Sequence, residues 1–286
     1  MTGSNDLRGS LFMVSAMAGF AVEDAFLKAA TREVAVGLAL VILGLAGVVV
    51  FSVVALRAGA MPLPRSILSP TMALRSGFEI VGRLFYALAI ALTPISTASA
   101  ILQATPLVVV LGAALIFGER IGWRRWALIL LGFVGVLIIL RPGLEGFSGL
   151  SLLALIAMAG FAGRDLATRA APLALSNAQL GVTGFIMLAL SGVIILTVTG
   201  GAALPSPGTL GLLAGASLFG ILAYAALTQA MRTGAVGVVT PFRYSRLPFA
   251  VMLGVGVFGE RPDTATLAGS ALIVACGIVL LTRRDL

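Results

Sequence analysis

The sequence has no histidine, a single cysteine, Cys276, and charged residues at only 10% of its positions. Each shortage removes a class of protein. Without histidine there is no H-E-x-x-H zinc motif, and the chain also lacks a P-loop and a G-x-S-x-G nucleophile elbow. A lone cysteine inside an apolar run excludes an intrachain disulfide. The expectation is a protein that is not an enzyme, with no catalytic residue, no metal site and no cofactor. A soluble domain is about 25% charged and about 45–50% apolar. Here 59% of 286 residues are hydrophobic, so lipid is the expected solvent. The net charge of +8 does not point to nucleic acid, because the cations fall mainly between apolar runs rather than on a polar surface.

Those runs predict ten membrane-spanning helices over residues 10–29, 35–56, 68–92, 96–117, 124–140, 149–169, 178–199, 208–231, 235–258 and 264–281. The breaks between them carry proline and glycine, as in Arg141-Pro142-Gly143 and Arg261-Pro262-Asp263. The N-terminus has no basic n-region and no A-x-A cleavage site, so the first run is expected to be a retained span. With the N-terminus inside, Arg8, Arg57, Arg65, Arg120, Arg124, Arg125, Arg169, Arg232, Arg283 and Arg284 collect on one side, and Lys28, Arg32, Arg141 and Arg261 on the other. The positive-inside rule then places both termini in the cytoplasm.

One stretch occurs twice. Ala16-Met17-Ala18-Gly19-Phe20-Ala21, followed by Val22-Glu23-Asp24 and Lys28, returns 141 residues later as Ala157-Met158-Ala159-Gly160-Phe161-Ala162, Gly163-Arg164-Asp165 and Arg169. Phe117-Gly118-Glu119-Arg120 and Phe258-Gly259-Glu260-Arg261 keep the same offset. The chain therefore divides into a first five-helix repeat, 1–143, and a second, 144–286. Five is odd, so the second repeat enters the membrane from the opposite side. Inverted repeats recur among secondary transporters, with the substrate site near the midplane where the halves meet. The predicted fold class is all-α integral membrane: ten transmembrane helices as two inverted five-helix repeats around a central cavity.

Ten helices as five plus five, with spans 4 and 9 each running into Gly-Glu-Arg, resemble the drug/metabolite transporter superfamily, EamA type. Val239-Thr240-Pro241-Phe242-Arg243-Tyr244-Ser245-Arg246 leading to Phe258-Gly259-Glu260-Arg261-Pro262 is the most family-like stretch. Within that superfamily the chain looks most like the bacterial aromatic amino-acid exporters. The resemblance implies a helical basket around a cavity lined by spans 1, 3, 4, 6, 8 and 9, with spans 5 and 10 peripheral. It also implies export or exchange of small metabolites across the bacterial inner membrane without ATP hydrolysis, amino acids including aromatic ones being the leading class. Nucleoside-like, flavin-like and sulfonium compounds are the alternative.

A charge at the centre of a membrane helix costs about 2.5–3.5 kcal/mol on the insertion scale, so intramembrane charges face the bundle and are functional candidates. Arg75, Glu79 and Arg83 share one face of span 3 at spacings of four, a ladder that also serves packing alone. Arg243 and Arg246 on span 9, between Pro241 and Pro248, suit a substrate carboxylate or a structural pair with Asp165 or Glu79. Asp24 with Lys28, and Asp165 with Arg169, stand i, i+4 and are assigned to outer and inner gates, against simple helix capping. The inverted topology is expected to separate the two aspartates in depth. Tyr86, Tyr224 and Tyr244 fall inside predicted cavity helices, where each hydroxyl needs a partner. Gln103 is the repeat mate of Tyr244, and Gln229 adds an uncharged polar group on span 8. The predicted substrate-binding set is Glu79, Arg83, Tyr86, Gln103, Tyr224, Gln229, Arg243, Tyr244 and Arg246, and the gating set is Asp24, Lys28, Asp165 and Arg169. Expected partners are a small-molecule substrate and the bilayer. Glycines such as Gly211 and Gly215 suit close helix packing without implying a dimer.

Overall fold

The computed structural model describes residues 2–117, 122–140, 148–169, 175–201, 204–233 and 240–282. Glu119-Arg120 and the side chain of Arg169 lie outside the described residues. The helices are α1 (Thr2–Ala30), α2 (Val36–Arg57), α3 (Pro70–Leu92), α4 (Ile95–Leu102), α5 (Thr105–Phe117) and α6 (Trp123–Leu140), then α7 (Ser151–Arg169), α8 (Asn177–Thr199), α9 (Pro207–Thr233), α10 (Arg246–Phe258) and α11 (Thr264–Thr282). Short 3-10 segments cover Arg65–Leu68 and Thr240–Ser245. The fold is the all-α integral membrane class, ten spans in two repeats around a central cavity.

Parts of α1 and α9, and all of α2 and α8, are uninterrupted helices long and apolar enough to cross a bilayer by length and composition. Spans 4 and 9 are broken. Span 4 becomes α4 plus α5, and span 9 becomes the 3-10 segment plus α10. Thr105–Phe117 and Arg246–Phe258 are both 13 residues long and begin 141 residues apart, so the break is a property of the repeat. Proline explains it. Pro106 brings no N–H, and a proline ring crowds the carbonyl four residues back. That carbonyl, on Leu102, instead accepts from Thr105 Oγ1 at 2.6 Å.

Packing shows how the halves are related. Helix α1 lies along α9, and α3 lies along α7; α1 and α7 are repeat mates, as are α3 and α9, so the two contacts are equivalent. Helix α2 packs on its own mate α8, and α6 on its own mate α11. The α2–α8 pair runs antiparallel: Gly37 abuts Gly192, Gly44 abuts Ala189, and Gly181 abuts Phe51. Two copies of one helix that meet antiparallel belong to oppositely inserted halves, so the repeats are inverted.

The repeated Met-Ala-Gly-Phe-Ala stretch supplies the close crossings. A Cβ on Gly19 would sit 2.9 Å from the Ala223 Cβ, and one on Gly160 would sit 2.6 Å from the Gly82 backbone nitrogen. Gly82 and Ala223 are themselves repeat mates, so each half uses the same contact. Large apolar side chains such as Val49, Leu130, Val193 and Leu222 stand exposed on the outside, the arrangement expected where lipid is the solvent.

Outside the spans, Glu33 accepts from Thr209 Oγ1 and, at 3.1 Å, from Ser206 Oγ. Ser206 Oγ also accepts from the Thr209 backbone N–H at 3.2 Å, capping α9 just before Pro207. The Thr209 and Ser206 hydroxyls hold the Glu33 carboxyl below the usual carboxylate range.

Two predictions follow from these contacts. Gly160→Ala should lower thermal stability of the detergent-purified protein by roughly 1–3 kcal/mol, because backbone cannot yield to the added methyl. Gly77→Ala, where a Cβ meets nothing within 4 Å, should be neutral or stabilising by up to about 1 kcal/mol. Glu33, with its folded pKa depressed, adds stability above its unfolded pKa that is lost as pH falls through the folded value. Melting temperatures across the acid range should therefore fall less in Glu33→Gln than in the parent.

Candidate functional site

The central cavity has a volume of about 120 Å³ and is lined by side chains from both repeats. Span 1 contributes Phe20, Glu23 and Asp24; span 3 contributes Arg83 and Tyr86; span 4 contributes Gln103 and Thr105. From the second repeat come Phe161, Arg164 and Asp165 of span 6, and Arg243, Tyr244 and Arg246 of span 9. Leu40, Leu188 and Leu227 bring in spans 2, 7 and 8, and no described residue of α6 or α11 reaches the cavity.

Three charge clusters hold this wall. In the first, Arg246 Nη2 donates to Asp24 Oδ2 at 2.6 Å and to the Tyr86 hydroxyl at 3.1 Å. Tyr86 donates to the same Asp24 oxygen at 3.0 Å, and its oxygen lies 3.4 Å from Ser99 Oγ. The guanidinium is flanked by the rings of Phe20 at 5.3 Å and Tyr86 at 5.1 Å, within cation–π range. In the second, Asp165 Oδ1 accepts from Arg164 Nε at 3.0 Å and Nη2 at 2.8 Å, while Oδ2 accepts from Arg243 Nη1 at 3.2 Å. Arg164 also lies over Phe161, at 4.9 Å. In both halves the repeated phenylalanine therefore faces an arginine, and the repeated aspartate binds an arginine of span 9. In the third, Glu79 is 1% exposed behind the wall and meets Arg83 at 3.0 Å, Arg164 at 3.4 Å and Arg75 at 3.6 Å.

The broken spans touch at their breaks. Gln103 Nε2 donates to the Arg243 carbonyl at 3.3 Å. Among the described residues, the buried Tyr244 hydroxyl and the buried Nε of Arg243 and Arg246 find no hydrogen-bond partner.

A separate cluster sits one turn further along α1, on residues that do not line the cavity. Lys28 Nζ meets Glu260 Oε1 at 3.3 Å and donates to the Thr93 carbonyl at 2.6 Å. Glu260 also accepts from the backbone N–H groups of Ile95 (2.8 Å) and Ser96 (3.2 Å) and from Ser96 Oγ (2.8 Å). A carboxylate from the end of α10 thus caps the N-terminus of α4, where the helix dipole favours it.

The structure brings Arg83, Tyr86, Gln103, Arg243, Tyr244 and Arg246 into one cavity and sets Glu79 directly behind it. Tyr224 lies elsewhere, edge-on to Phe51 and Phe185 in the α2–α8–α9 packing. Gln229 is exposed and donates to Thr233 Oγ1. Asp24 and Lys28 do not bridge along their helix; each reaches across to span 9. Both lie on one face of α1, and the one-turn rise between them sets Asp24 opposite Arg246 and Lys28 opposite the end of α10. Asp24 and Asp165, expected at separate depths, line the same cavity. Sequence reasoning did not single out Glu23 or Arg164. Their signal was available: they are repeat mates of opposite sign, as Glu79 and Gly220 are mates of unequal size and charge.

Fold and site together define a multi-pass membrane protein with an inverted repeat and a charged, aromatic-lined central cavity. The sequence pattern of the EamA-like transporter family matches residues 7–141 and again 147–283, and the chain belongs to that family. A riboflavin transporter of Rhizobium johnstonii is 30% identical over 193 residues, 67% of this chain and 63% of that one. An S-adenosylmethionine uptake transporter of Rickettsia conorii is 26% identical over 201 residues, 68% of this chain and 65% of that one. The pseudopaline exporter CntI of Pseudomonas aeruginosa is 27% identical over 208 residues, 70% of this chain and 72% of that one. The chain thus matches just under two thirds of the first two relatives' length. A protein crystal structure with 21% identity shares the fold at a TM-score of 0.65, covering 96% of this chain and 97% of that one. The expected likeness to aromatic amino-acid exporters gives way to relatives named for riboflavin, S-adenosylmethionine and pseudopaline.

Removing one member of a buried pair costs about 3–5 kcal/mol because the other charge is left uncompensated. Asp24→Ala and Arg246→Met should each destabilise on that scale in thermal melts. The double variant should cost less than the two single losses added together.

Proposed function

We propose that the protein is a secondary transporter carrying a small metabolite across the bacterial inner membrane by alternating access, with both termini in the cytoplasm. The metabolite belongs to the flavin-like or sulfonium-nucleoside class, a planar heteroaromatic ring joined to strongly polar groups. The observation that carries this reading is the meeting of two broken spans from inverted repeats at an aromatic, charged cavity. Irregular backbone at such a meeting point is the recurring plan of secondary transporter sites. The relatives' names support the substrate class.

In this reading Phe20, Tyr86 and Phe161 contact the ring, and Gln103 and Thr105 supply neutral hydrogen bonds. Arg83, Arg243 and Arg246 take anionic or carbonyl groups, and Tyr244 contributes its ring, the hydroxyl lying against Gly277 of α11. Glu79 orients Arg83 and Arg164 rather than meeting substrate. Lys28, held by Glu260, closes one mouth. Asp24 and Asp165, with Arg169 beyond the latter, are the carboxylate and cation positions that rearrange as access alternates.

Counterflow in proteoliposomes tests the substrate class. Riboflavin or S-adenosylmethionine should exchange above the empty-liposome background at two pH values, while phenylalanine and leucine should not. Arg246→Gln should reduce exchange by about tenfold or more, the scale of a lost charged hydrogen bond. Exchange of amino acids alone would overturn the substrate class, and no exchange of any compound would overturn the transport reading.

A further inference from the structure

Glu23 is the cavity carboxylate that the charge clusters leave over. It is 6% exposed and lines the cavity, and no described residue gives it a hydrogen bond or an ion pair. Neither of its oxygens is sealed inside the packing. The neighbouring cations are already engaged: Arg246 is bound to Asp24 beside it, and Arg83 to Glu79.

The repeat explains why it stands alone. Its mate in the second half is Arg164, which reaches across to Glu79 on α3. The mate of Glu79 is Gly220 on α9, and the Glu23 carboxyl lies against that glycine: a Cβ there would come within 2.8 Å of the Glu23 Cδ and Oε1. The first half thus presents an acid against a bare backbone where the second half has a closed ion pair. A side chain at position 220 would occupy the carboxyl's space, so the glycine keeps it there. A carboxylate in a shielded cavity with no fixed partner is complementary to a positive charge brought by the ligand.

We propose that Glu23 is the cation subsite of the cavity and that the transported metabolite carries a sulfonium, which docks against it. This rests on the transporter reading above and narrows it: among ring-bearing metabolites, the site selects the cationic ones over neutral flavins. The arginines of span 9 take the opposite end of the same molecule.

Binding of S-adenosylmethionine, its thioether analogue S-adenosylhomocysteine, and riboflavin to the full-length purified protein tests this, with Glu23→Gln as the variant. The two adenosyl compounds share their ammonium and carboxylate and differ by one methyl group and the sulfonium charge. The parent should bind the sulfonium about tenfold or more tighter than the thioether, the scale of a charged contact in a shielded site. Glu23→Gln should bring the two to near equality by weakening the sulfonium alone, and its unchanged thioether affinity would show that the fold is intact. Equal affinities in the parent, or a preference that survives in Glu23→Gln, would overturn the cation subsite and leave the substrate class standing. Binding of riboflavin alone would do the same. Binding of none of the three would overturn the substrate class and this subsite together.

Discussion

An ionised side chain inside the hydrocarbon layer has to find its counter-charge within the protein, because lipid offers none. That constraint organises this molecule. Asp24 is met by Arg246, Asp165 by Arg164 and Arg243, and Glu79 by Arg75, Arg83 and Arg164. Every one of these clusters joins different spans, and two of them join different repeats. The charges that make the chain costly to insert also decide which helices face one another. The cavity is then the space these paired charges surround, walled by the aromatic rings that cover the guanidinium faces.

Symmetry supplies the frame, and departures from it supply the chemistry. The close crossings at Gly19–Ala223 and Gly160–Gly82 are the same contact made twice. So is the break in spans 4 and 9. Around these equivalent points the side chains diverge: Glu23 against Arg164, Glu79 against Gly220, and Gln103 against Tyr244. A doubled backbone thus carries a cavity whose two sides differ in charge, which a ligand with distinct ends requires.

Much of the fold was legible in the sequence. The 141-residue offset, the odd number of spans per half and the proline positions all follow from reading residues in order. Even the split of span 4 has a local cause in Pro106. Partner choice was less legible. Asp24 and Lys28 stand four apart and look like a pair, yet each binds a residue more than 200 positions away, because a turn of rise along one face of α1 sets them opposite Arg246 and the end of α10 respectively. Tyr224 and Gln229 are on a plausible span, but α9 turns them toward packing and the exterior. The offset already pairs Glu23 with Arg164 and Glu79 with Gly220, but only the three-dimensional contact of Arg164 with Glu79 shows that Glu23 in turn faces a glycine.

The cap that Glu260 places on α4 has a mechanical consequence. One carboxylate from the second repeat holds Lys28 of span 1 and the first two N–H groups of span 4, both from the first repeat. These tethers share a single anchor at the end of α10. Lys28 keeps a second hold on the Thr93 carbonyl, within its own repeat, so loss of the carboxylate would leave the lysine in place and the N-terminus of α4 uncapped. At this point the two repeats are tied through a single side chain.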